Sequence, residues 1–233
     1  ITKLRPKLIV VGAMEFLFPV PLRELKEVCS KTGTYIMYDA AHVAGLIAGE
    51  TFQNPLQEGA DILSMSTSKT LAGPDHGIVA TSHASRFREA IWHGVNPMFL
   101  SNIHPHHIGG LAITLAELQM FGRDYATQVI KNAQALAKEL YKHEIDVLCP
   151  QKGFTQSHTL LINTHDEAMK YVRLLEQANI MSNTFMNCTD TIYESGLRFG
   201  TNEITRDGMK EQEMKIIAQF ICCLLYTSPS PRD

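Results

Sequence analysis

The chain has 233 residues, of which 45% are apolar and 19% are charged, and its formal net charge is −3. This length and apolar content are enough for one large domain or two small ones, each with a packed core. The near-neutral charge shows neither the basic stripe of a nucleic-acid-binding protein nor an acidic tail, and no apolar run is long enough to cross a membrane.

The cysteines and the first residues of the chain indicate its cellular compartment and whether an N-terminal segment is missing. Five cysteines are scattered without a C-x-x-C pair: Cys29, Cys149, Cys188, Cys222 and Cys223. This pattern favours free thiols in a reducing compartment, so we expect a cytoplasmic protein. Nothing at the start resembles a signal peptide. The chain begins at Ile1 directly before a strand-like run, so we expect an N-terminal truncation.

The first hundred residues alternate strand-like and helix-like segments. The spacing predicts a helix over 22–32, with Gly33 as its C-cap. Short apolar runs predict buried strands at 7–11, 35–38, 61–65 and 77–81. Continuous apolar strands with helices between them predict an α/β fold, built on a mostly parallel sheet that is covered on both faces.

The remainder of the chain is predicted to contain a long helix and a smaller α/β domain. The helix covers 106–143, and its apolar positions are Leu111, Leu115, Leu118, Ile130, Leu136 and Leu140. Strands at 158–163 and 196–199 and helices at 166–179 and 205–222 follow, with Thr205 as an N-cap. We therefore divide the chain into part of a large ligand-binding domain (1–105), a connecting helix (106–143), a small C-terminal domain (144–223) and a disordered or artefactual tail (224–233).

Two reactive side chains follow the ends of predicted neighbouring strands. Asp39 ends the strand at 35–38, and Lys69 follows the strand at 61–65 within a run of small hydroxyl residues. In parallel sheets the ligand lies beyond the carboxyl ends of the strands, so one crevice could hold both. A lysine amine and an acidic group are what pyridoxal 5'-phosphate requires: the amine forms the imine, and the carboxylate keeps the ring nitrogen protonated. Burial would lower the pKa of Lys69 and free its amine.

Each of these residues also has a purely structural interpretation. Asp39 could begin a turn or cap a helix, and Lys69 could be a solvated loop lysine. His42 could stack on a cofactor ring or act as an acid or base, or could simply start a helix. Ser66 and Thr67 are candidates for hydrogen bonds to the cofactor or substrate.

Two further features lie outside this segment. Arg198 sits in an apolar strand, where an arginine is costly unless it is paired. A substrate carboxylate could pair with it through two hydrogen bonds, and a structural Asp or Glu is the alternative partner. His104, His106 and His107 form a cluster whose spacing matches no strong zinc pattern. We interpret the cluster as a loop and helix start near the active site.

Four segments together resemble the serine (glycine) hydroxymethyltransferases. They are the strand Arg5-Pro-Lys-Leu-Ile-Val-Val-Gly-Ala13, the segment Tyr38-Asp-Ala-Ala-His-Val-Ala-Gly-Leu-Ile-Ala48, the loop Lys69-Thr-Leu-Ala-Gly-Pro74 and the strand Ser195-Gly-Leu-Arg-Phe-Gly-Thr201. The resemblance runs from about Arg5 to Phe220. It implies the aspartate-aminotransferase fold (fold type I), pyridoxal phosphate as cofactor, tetrahydrofolate as a further candidate cofactor, and a homodimer in the full-length protein.

The resemblance also assigns roles to individual residues. Lys69 is the Schiff-base lysine, Asp39 is the partner of the ring nitrogen, and His42 is the ring-stacking histidine. Arg198 holds the carboxylate of the amino-acid substrate. The implied partners are small molecules, with neither nucleic acid nor a membrane among them.

Several positions depart from the family's pattern. Ser68 stands where the family has histidine, Asp75 where arginine is usual, Met14 where a serine is expected and Asn202 where proline is common. The family's glycine-rich loop is replaced by residues 96–106. These departures resemble the relatives that act on aldehydes without folate, such as the threonine transaldolases.

Three functions therefore remain open. The first is interconversion of serine and glycine by cleavage of the Cα–Cβ bond. The second is a folate-independent aldolase or transaldolase that acts on β-hydroxy amino acids. The third is an inactive truncated paralogue that serves as an interaction subunit.

Overall fold

The computed structural model describes residues 1–82, 86–100, 102–164, 167–188 and 193–226. The chain forms two compact units, Ile1–Asp124 (unit 1) and Tyr125–Asp233 (unit 2). None of the helices in the described residues is both long and apolar enough to cross a membrane.

Unit 1 contains a four-stranded sheet in the order β1-β2-β3-β4. The strands are β1 (Leu8–Gly12), β2 (Tyr35–Asp39), β3 (Ile62–Ser66) and β4 (Gly77–Ala80). The pairs β1–β2 and β2–β3 are parallel, which confirms the mostly parallel sheet. Strand β4 runs antiparallel to β3, because the short segment 67–76 between them cannot provide the crossover of about a dozen residues that a parallel pair needs.

The helices of unit 1 were predicted where they are long. Helix α1 (Leu22–Thr32) has the predicted bounds, and Gly33 caps it with a left-handed φ of 72° and an N–H that donates to the Cys29 carbonyl. Three shorter helices are α2 (Ala44–Ala48), α3 (Pro55–Glu58) and α4 (Arg88–His93), followed by a kinked helical segment Gly94–Phe99. These short helices were not predicted from the sequence, because they contain too few residues to show a helical period.

The sheet of unit 1 packs its core around β2. Ile36 and Tyr38 are fully buried, and the Tyr38 hydroxyl donates to Oε1 of Gln53 at 3.0 Å. Along the outer strands the cover is incomplete, because Val10 on β1 is 63% exposed and Val79 on β4 is 44% exposed. The apolar runs that predicted burial are therefore covered at β2 but open at both edges of the sheet.

Unit 2 is built on a three-stranded antiparallel sheet. Its order is β5-β7-β6, with β5 (Thr159–Asn163), β6 (Asn183–Cys188) and β7 (Tyr193–Gly200). Helix α6 is Ala168–Gln177. Strand β6 was not predicted, because its polar residues give it no apolar run.

The end of unit 2 differs from the prediction in three respects. The single helix expected over 205–222 is two helices, α7 (Asn202–Arg206) and α8 (Glu211–Tyr226). Thr205 is not an N-cap, because it lies inside α7 and its hydroxyl donates to the Thr201 carbonyl at 2.6 Å. Helix α8 continues through Tyr226, so the predicted tail begins three residues too early, and its remainder lies outside the described residues.

Helix α5 (Pro105–Lys142) confirms the long helix and runs across the division between the units. Its predicted apolar stripe is buried only toward the C-terminal end. Leu136 and Leu140 lie in the core of unit 2, at 2% and 0% exposure, whereas Leu115 is 46% exposed. The predicted domain boundaries stay a prediction.

Tyr125 of unit 2 should make the fold sensitive to alkali. Burial raises the pKa of Tyr125 to about 12 from a usual value of 10, and its hydroxyl donates to the Asn202 carbonyl at 2.9 Å. A raised folded-state pKa gives stability that is present below pH 10 and lost as the pH rises toward 12. We expect the free energy of unfolding of Tyr125→Phe to fall by about 1–2 kcal/mol less over this pH range than that of the unaltered protein. This value is smaller than the full pKa difference implies, because part of the ring is exposed to solvent. Urea unfolding of the unaltered protein and of Tyr125→Phe across this pH range measures the free energy of unfolding. If this free energy fell equally steeply with pH in both proteins, the prediction would be contradicted.

Candidate active site

Asp39 and Lys69 lie at the same edge of the unit 1 sheet. Strand β2 ends at Asp39, which pairs in parallel register with Ser64 of β3. The Ala40 N–H donates to the Ser64 carbonyl at 2.8 Å, so the chain beyond β2 stays against β3. Lys69 follows the last residue of β3, Ser66. Asp39 therefore lies at the carboxyl end of one strand and Lys69 beyond the carboxyl end of its parallel neighbour, where such sheets bind ligands.

The Asp39 carboxylate is half-buried and held from two directions. Its Oδ1 accepts the Ala41 N–H at 3.0 Å. A Cβ on Gly12 would lie 2.7 Å from the Asp39 Cβ, so glycine is what lets β1 pass so close. In the part of the chain that the structure describes, Oδ2 has no hydrogen-bond partner. One carboxylate oxygen thus fixes the side chain, and the other remains available.

Thr70 joins the loop after β2 to the loop that carries Lys69. This buried side chain accepts the Gly45 N–H at 3.0 Å and donates to the His42 carbonyl at 3.0 Å. His42 is half-buried. The two predicted segments are therefore adjacent in space, although the role of the His42 ring stays a prediction.

Gly45 is the position where a single added carbon should disturb this junction most. A Cβ there would lie 2.0 Å from the Thr70 carbonyl oxygen and 2.8 Å from the Leu71 nitrogen, both of them backbone atoms. We expect Gly45→Ala to destabilise the protein by about 1–3 kcal/mol through overpacking. Thermal unfolding measures this, with Gly109→Ala as control, because nothing lies within 4 Å of a Cβ at that helical position. Equal melting temperatures for the two variants would contradict the close approach.

The loop from β3 to β4 is fixed from inside by Thr67. Thr67 is fully buried, and its hydroxyl contacts the carbonyl oxygens of Pro74 and His76. Its carbonyl accepts the Gly73 N–H at 2.7 Å. The Thr67 side chain therefore shapes its own loop, and its predicted contact with the cofactor stays a prediction. Ser66, half-buried, lies 3.4 Å from the Ser68 hydroxyl, and its predicted contact with the cofactor stays a prediction.

Lys69 projects from this loop as an exposed side chain. The predicted burial of Lys69 is therefore wrong: the loop turns its buried residues, Thr67 and Thr70, inward on either side of it. Within the described ranges the Lys69 amine has no ion pair and no hydrogen bond. Its amine is accessible to a reactant from solvent.

Ser68, directly before Lys69, contacts the other side of the same loop. Its hydroxyl donates to Oδ1 of Asp75 at 3.1 Å. The two residues that depart from the family's pattern on either side of the lysine loop thus bind each other. Neither the sequence separation nor the motif predicted this contact, because it depends on the antiparallel return into β4.

A cluster of four histidines lies beside Asp75. His107 has its ring centroid 4.3 Å from His106, 5.5 Å from His104 and 5.9 Å from His76. Desolvation and the three neighbouring imidazoles lower the pKa of His107, against a smaller opposing effect of Asp75. No group of three or more metal-ligating side chains among the described residues has a geometry that could hold a metal ion.

Arg198 lies in unit 2, on the central strand β7. It pairs in register with Leu161 of β5 and Asn183 of β6, and its side chain is half-buried. Its role toward a substrate carboxylate stays a prediction.

A further cavity lies in unit 1. It has a volume of about 1260 Å³ and is lined mainly by β4 and by residues 88–100, including Trp92 and Phe99. Asp39, His42 and Lys69 do not line it. We therefore place the chemistry by the reactive residues at the strand ends, and not by cavity size.

Comparison with known proteins places the fold in a recognised class. The structure superposes with a TM-score of 0.90 on a crystal structure of L-threonine transaldolase from Pseudomonas fluorescens in the internal aldimine state, at 30% identity, covering 97% of this chain and 52% of that one. The chain thus has the α/β architecture of the fold type I transferases.

Sequence comparison narrows the class to a family. The family model "Serine hydroxymethyltransferase" matches residues 1–221, and the chain belongs to that family. Similar curated relatives are serine hydroxymethyltransferases from Staphylothermus marinus, 40% identical over all of this chain and 54% of the relative, and from Methanobrevibacter smithii, 46% identical over 93% of this chain and 52% of the relative. The chain spans about half the length of the curated relatives that it matches.

Proposed function

We propose that the protein containing this chain is a pyridoxal-phosphate-dependent enzyme that interconverts serine and glycine by cleaving the Cα–Cβ bond. The observation that carries the proposal is the placement of Asp39 and Lys69 at and after the carboxyl ends of two adjacent parallel strands, within a chain that matches the hydroxymethyltransferase family model.

The residues at this edge fit the cofactor. A pyridinium N–H needs an anionic acceptor, and Asp39 has an oxygen without a partner among the described residues. The cofactor's carbonyl needs an accessible primary amine, and Lys69 supplies one. When bound, pyridoxal phosphate supplies an electron sink for the pair of electrons released at Cα of the substrate.

The chain's own residues would then divide the work. Lys69 would hold the cofactor through its accessible amine. Asp39 keeps the ring nitrogen protonated, an interaction that the Ala41 N–H supports by holding the carboxylate in position. In this proposal His42 would pack on the ring, and Arg198 would bind the substrate carboxylate through two hydrogen bonds from its guanidinium.

A second candidate is a folate-independent aldolase or transaldolase for β-hydroxy amino acids, such as threonine. The close superposition on the threonine transaldolase favours it, as does the Ser68–Asp75 contact, which unites two departures from the hydroxymethyltransferase pattern.

One assay separates the candidates. The full-length protein is supplied with pyridoxal phosphate and serine, with and without tetrahydrofolate, and glycine formation is followed. We expect glycine to form faster with tetrahydrofolate. Activity toward threonine and an aldehyde that is indifferent to tetrahydrofolate would support the second candidate. The absence of both activities, together with no cofactor absorbance, would support an inactive paralogue.

We also propose that the full-length protein is a cytoplasmic homodimer. Support for the dimer comes from large apolar side chains exposed in unit 1, of which Trp92, Met98 and Phe99 are 68%, 73% and 82% exposed. Support for the cytoplasm comes from the thiols of Cys29, Cys149 and Cys222, which form no disulfide. Sedimentation of the full-length protein tests the first proposal, and fractionation of cells tests the second.

A further inference from the structure

Thr70, the residue after Lys69, is bound to the segment that carries His42. Its side chain is 1% exposed. The Thr70 hydroxyl donates to the His42 carbonyl at 3.0 Å and accepts the Gly45 N–H at 3.0 Å. One buried hydroxyl in the loop after β3 thus binds two backbone groups of the segment after β2.

The same hydroxyl supplies a cap for helix α2. Val43 is the N-cap residue of α2, and its side chain makes no capping hydrogen bond. The first N–H groups of a helix have no partner within the helix, and an N-cap side chain ordinarily accepts one of them. Thr70 accepts the Gly45 N–H instead. This bond therefore helps to fix where α2 begins, and with it the backbone of His42, which directly precedes the N-cap.

Close packing leaves this contact little freedom to shift. A Cβ on Gly45 would lie 2.0 Å from the Thr70 carbonyl oxygen. The neighbours of Gly45 are fully buried, namely Val43, Ala44 and Leu46. Before Lys69, the buried Thr67 binds the lysine loop to itself. The exposed Lys69 therefore lies between two buried threonines, one of which also holds the His42 segment.

We propose that Thr70 is a positioning residue that sets the His42 ring and the Lys69 amine in a fixed relation to each other. The Lys69 backbone is joined to Thr70 by a peptide bond, and the His42 backbone is joined to Thr70 by a hydrogen bond. Two groups act together on one small molecule only if their spacing is preset, and a displacement of about 1 Å can cost about 10²-fold in rate. The importance of this spacing for catalysis rests on the proposed function, in which both residues contact the cofactor.

Two variants separate the hydroxyl of Thr70 from the shape of its side chain. Thr70→Val nearly keeps the shape and removes both hydrogen bonds, whereas Thr70→Ser keeps the hydroxyl and should behave like the unaltered protein. Thr34→Val is the matched control, because Thr34 is also buried and its hydroxyl donates to the Pro6 carbonyl at 2.7 Å, directly before the amino end of β2. Both valine variants lose a buried hydrogen bond, so both should have a lower melting temperature.

The first measurement needs no cofactor. Hydrogen exchange of the backbone amides is followed in the cofactor-free, full-length protein. In Thr70→Val the Gly45 amide should exchange about 3- to 10-fold faster than in the unaltered protein, because it loses the acceptor of one hydrogen bond. In Thr70→Ser and Thr34→Val the exchange of residues 42–48 should not change.

The second measurement follows the geometry around the bound cofactor. In the full-length protein loaded with pyridoxal phosphate, Thr70→Val should keep the cofactor absorbance, because Lys69 is intact. The circular dichroism of that band should change, because it depends on the asymmetric contacts of the ring. The kcat for serine with tetrahydrofolate should fall by about 10- to 100-fold, with KM for serine nearly unchanged. Thr70→Ser and Thr34→Val should keep the dichroism and kcat of the unaltered protein.

The proposal is overturned if the Gly45 amide exchanges equally fast in Thr70→Val and in the unaltered protein. It is also overturned if the exchange is faster but the dichroism and kcat per folded molecule match those of Thr34→Val, because the contact then serves stability alone. In both cases the unaltered protein still binds the cofactor and converts serine, so the proposed function stands. Absence of cofactor absorbance in the unaltered protein would instead refute the proposed function, and the role of Thr70 toward the cofactor with it.

Discussion

Replacing Lys69 with alanine should abolish the absorbance of bound cofactor and reduce the turnover of the full-length protein by at least about 10²–10⁴-fold, the range for loss of a single catalytic group. The Lys69 amine is exposed and forms no ion pair with any described residue. Its removal should therefore abolish the reaction with the cofactor and leave the stability of the fold unchanged. Absorbance spectra and kcat measure the two effects.

A matched lysine separates this effect from a general loss of charge. Lys31 is exposed in the last turn of α1, which precedes the amino end of β2, and Lys31→Ala should keep both the spectrum and the rate. Treating the unaltered protein with borohydride before digestion should also fix the cofactor's mass on the peptide that contains Lys69. An unchanged spectrum in Lys69→Ala, or a label on another lysine, would refute the assignment.

The motifs allowed the reactive residues to be placed before the structure because they combine two independent signals. A strand ends where its apolar run ends, and Asp39 and Lys69 each follow such an end. A parallel pair brings those ends to one edge. Helix α1 was equally predictable, because eleven residues give a full amphipathic period and Gly33 supplies the left-handed cap.

The features that the sequence did not reveal depend on contacts between segments distant along the chain. Thr70 binds a carbonyl and an N–H that lie 28 and 25 positions earlier. Gly45 matters because of a backbone that passes it at close range. Neither position has a local signature, since a threonine and a glycine in a loop are ordinary. The exposure of Lys69 was missed for the same reason, because the direction of a loop side chain is set by which of its neighbours are buried.

Asp39→Asn should slow the reaction by about 10- to 100-fold while leaving the loop intact. The amide oxygen of asparagine can still accept the Ala41 N–H that Asp39 Oδ1 accepts at 3.0 Å, so the geometry after β2 should hold. The charge opposite the ring nitrogen is lost, and a charge-assisted hydrogen bond is worth about 1.5–3 kcal/mol. At about 1.4 kcal/mol per tenfold in rate, this corresponds to the stated range.

Asp61→Asn is the matched control for this change, because Asp61 lies at the opposite end of β3 and is structural. Its two oxygens bind the Lys26 ammonium at 3.0 Å and the Ile36 N–H at 2.9 Å. We expect Asp61→Asn to lower the melting temperature and to leave kcat per folded molecule nearly unchanged. We expect Asp39→Asn to lower kcat and to leave the melting temperature nearly unchanged. If Asp39→Asn kept the full kcat, or lost activity only in proportion to unfolding, Asp39 would not be the partner of the ring nitrogen. A negative charge next to that nitrogen strengthens the withdrawal of electrons from Cα by the ring, so its removal must change kcat.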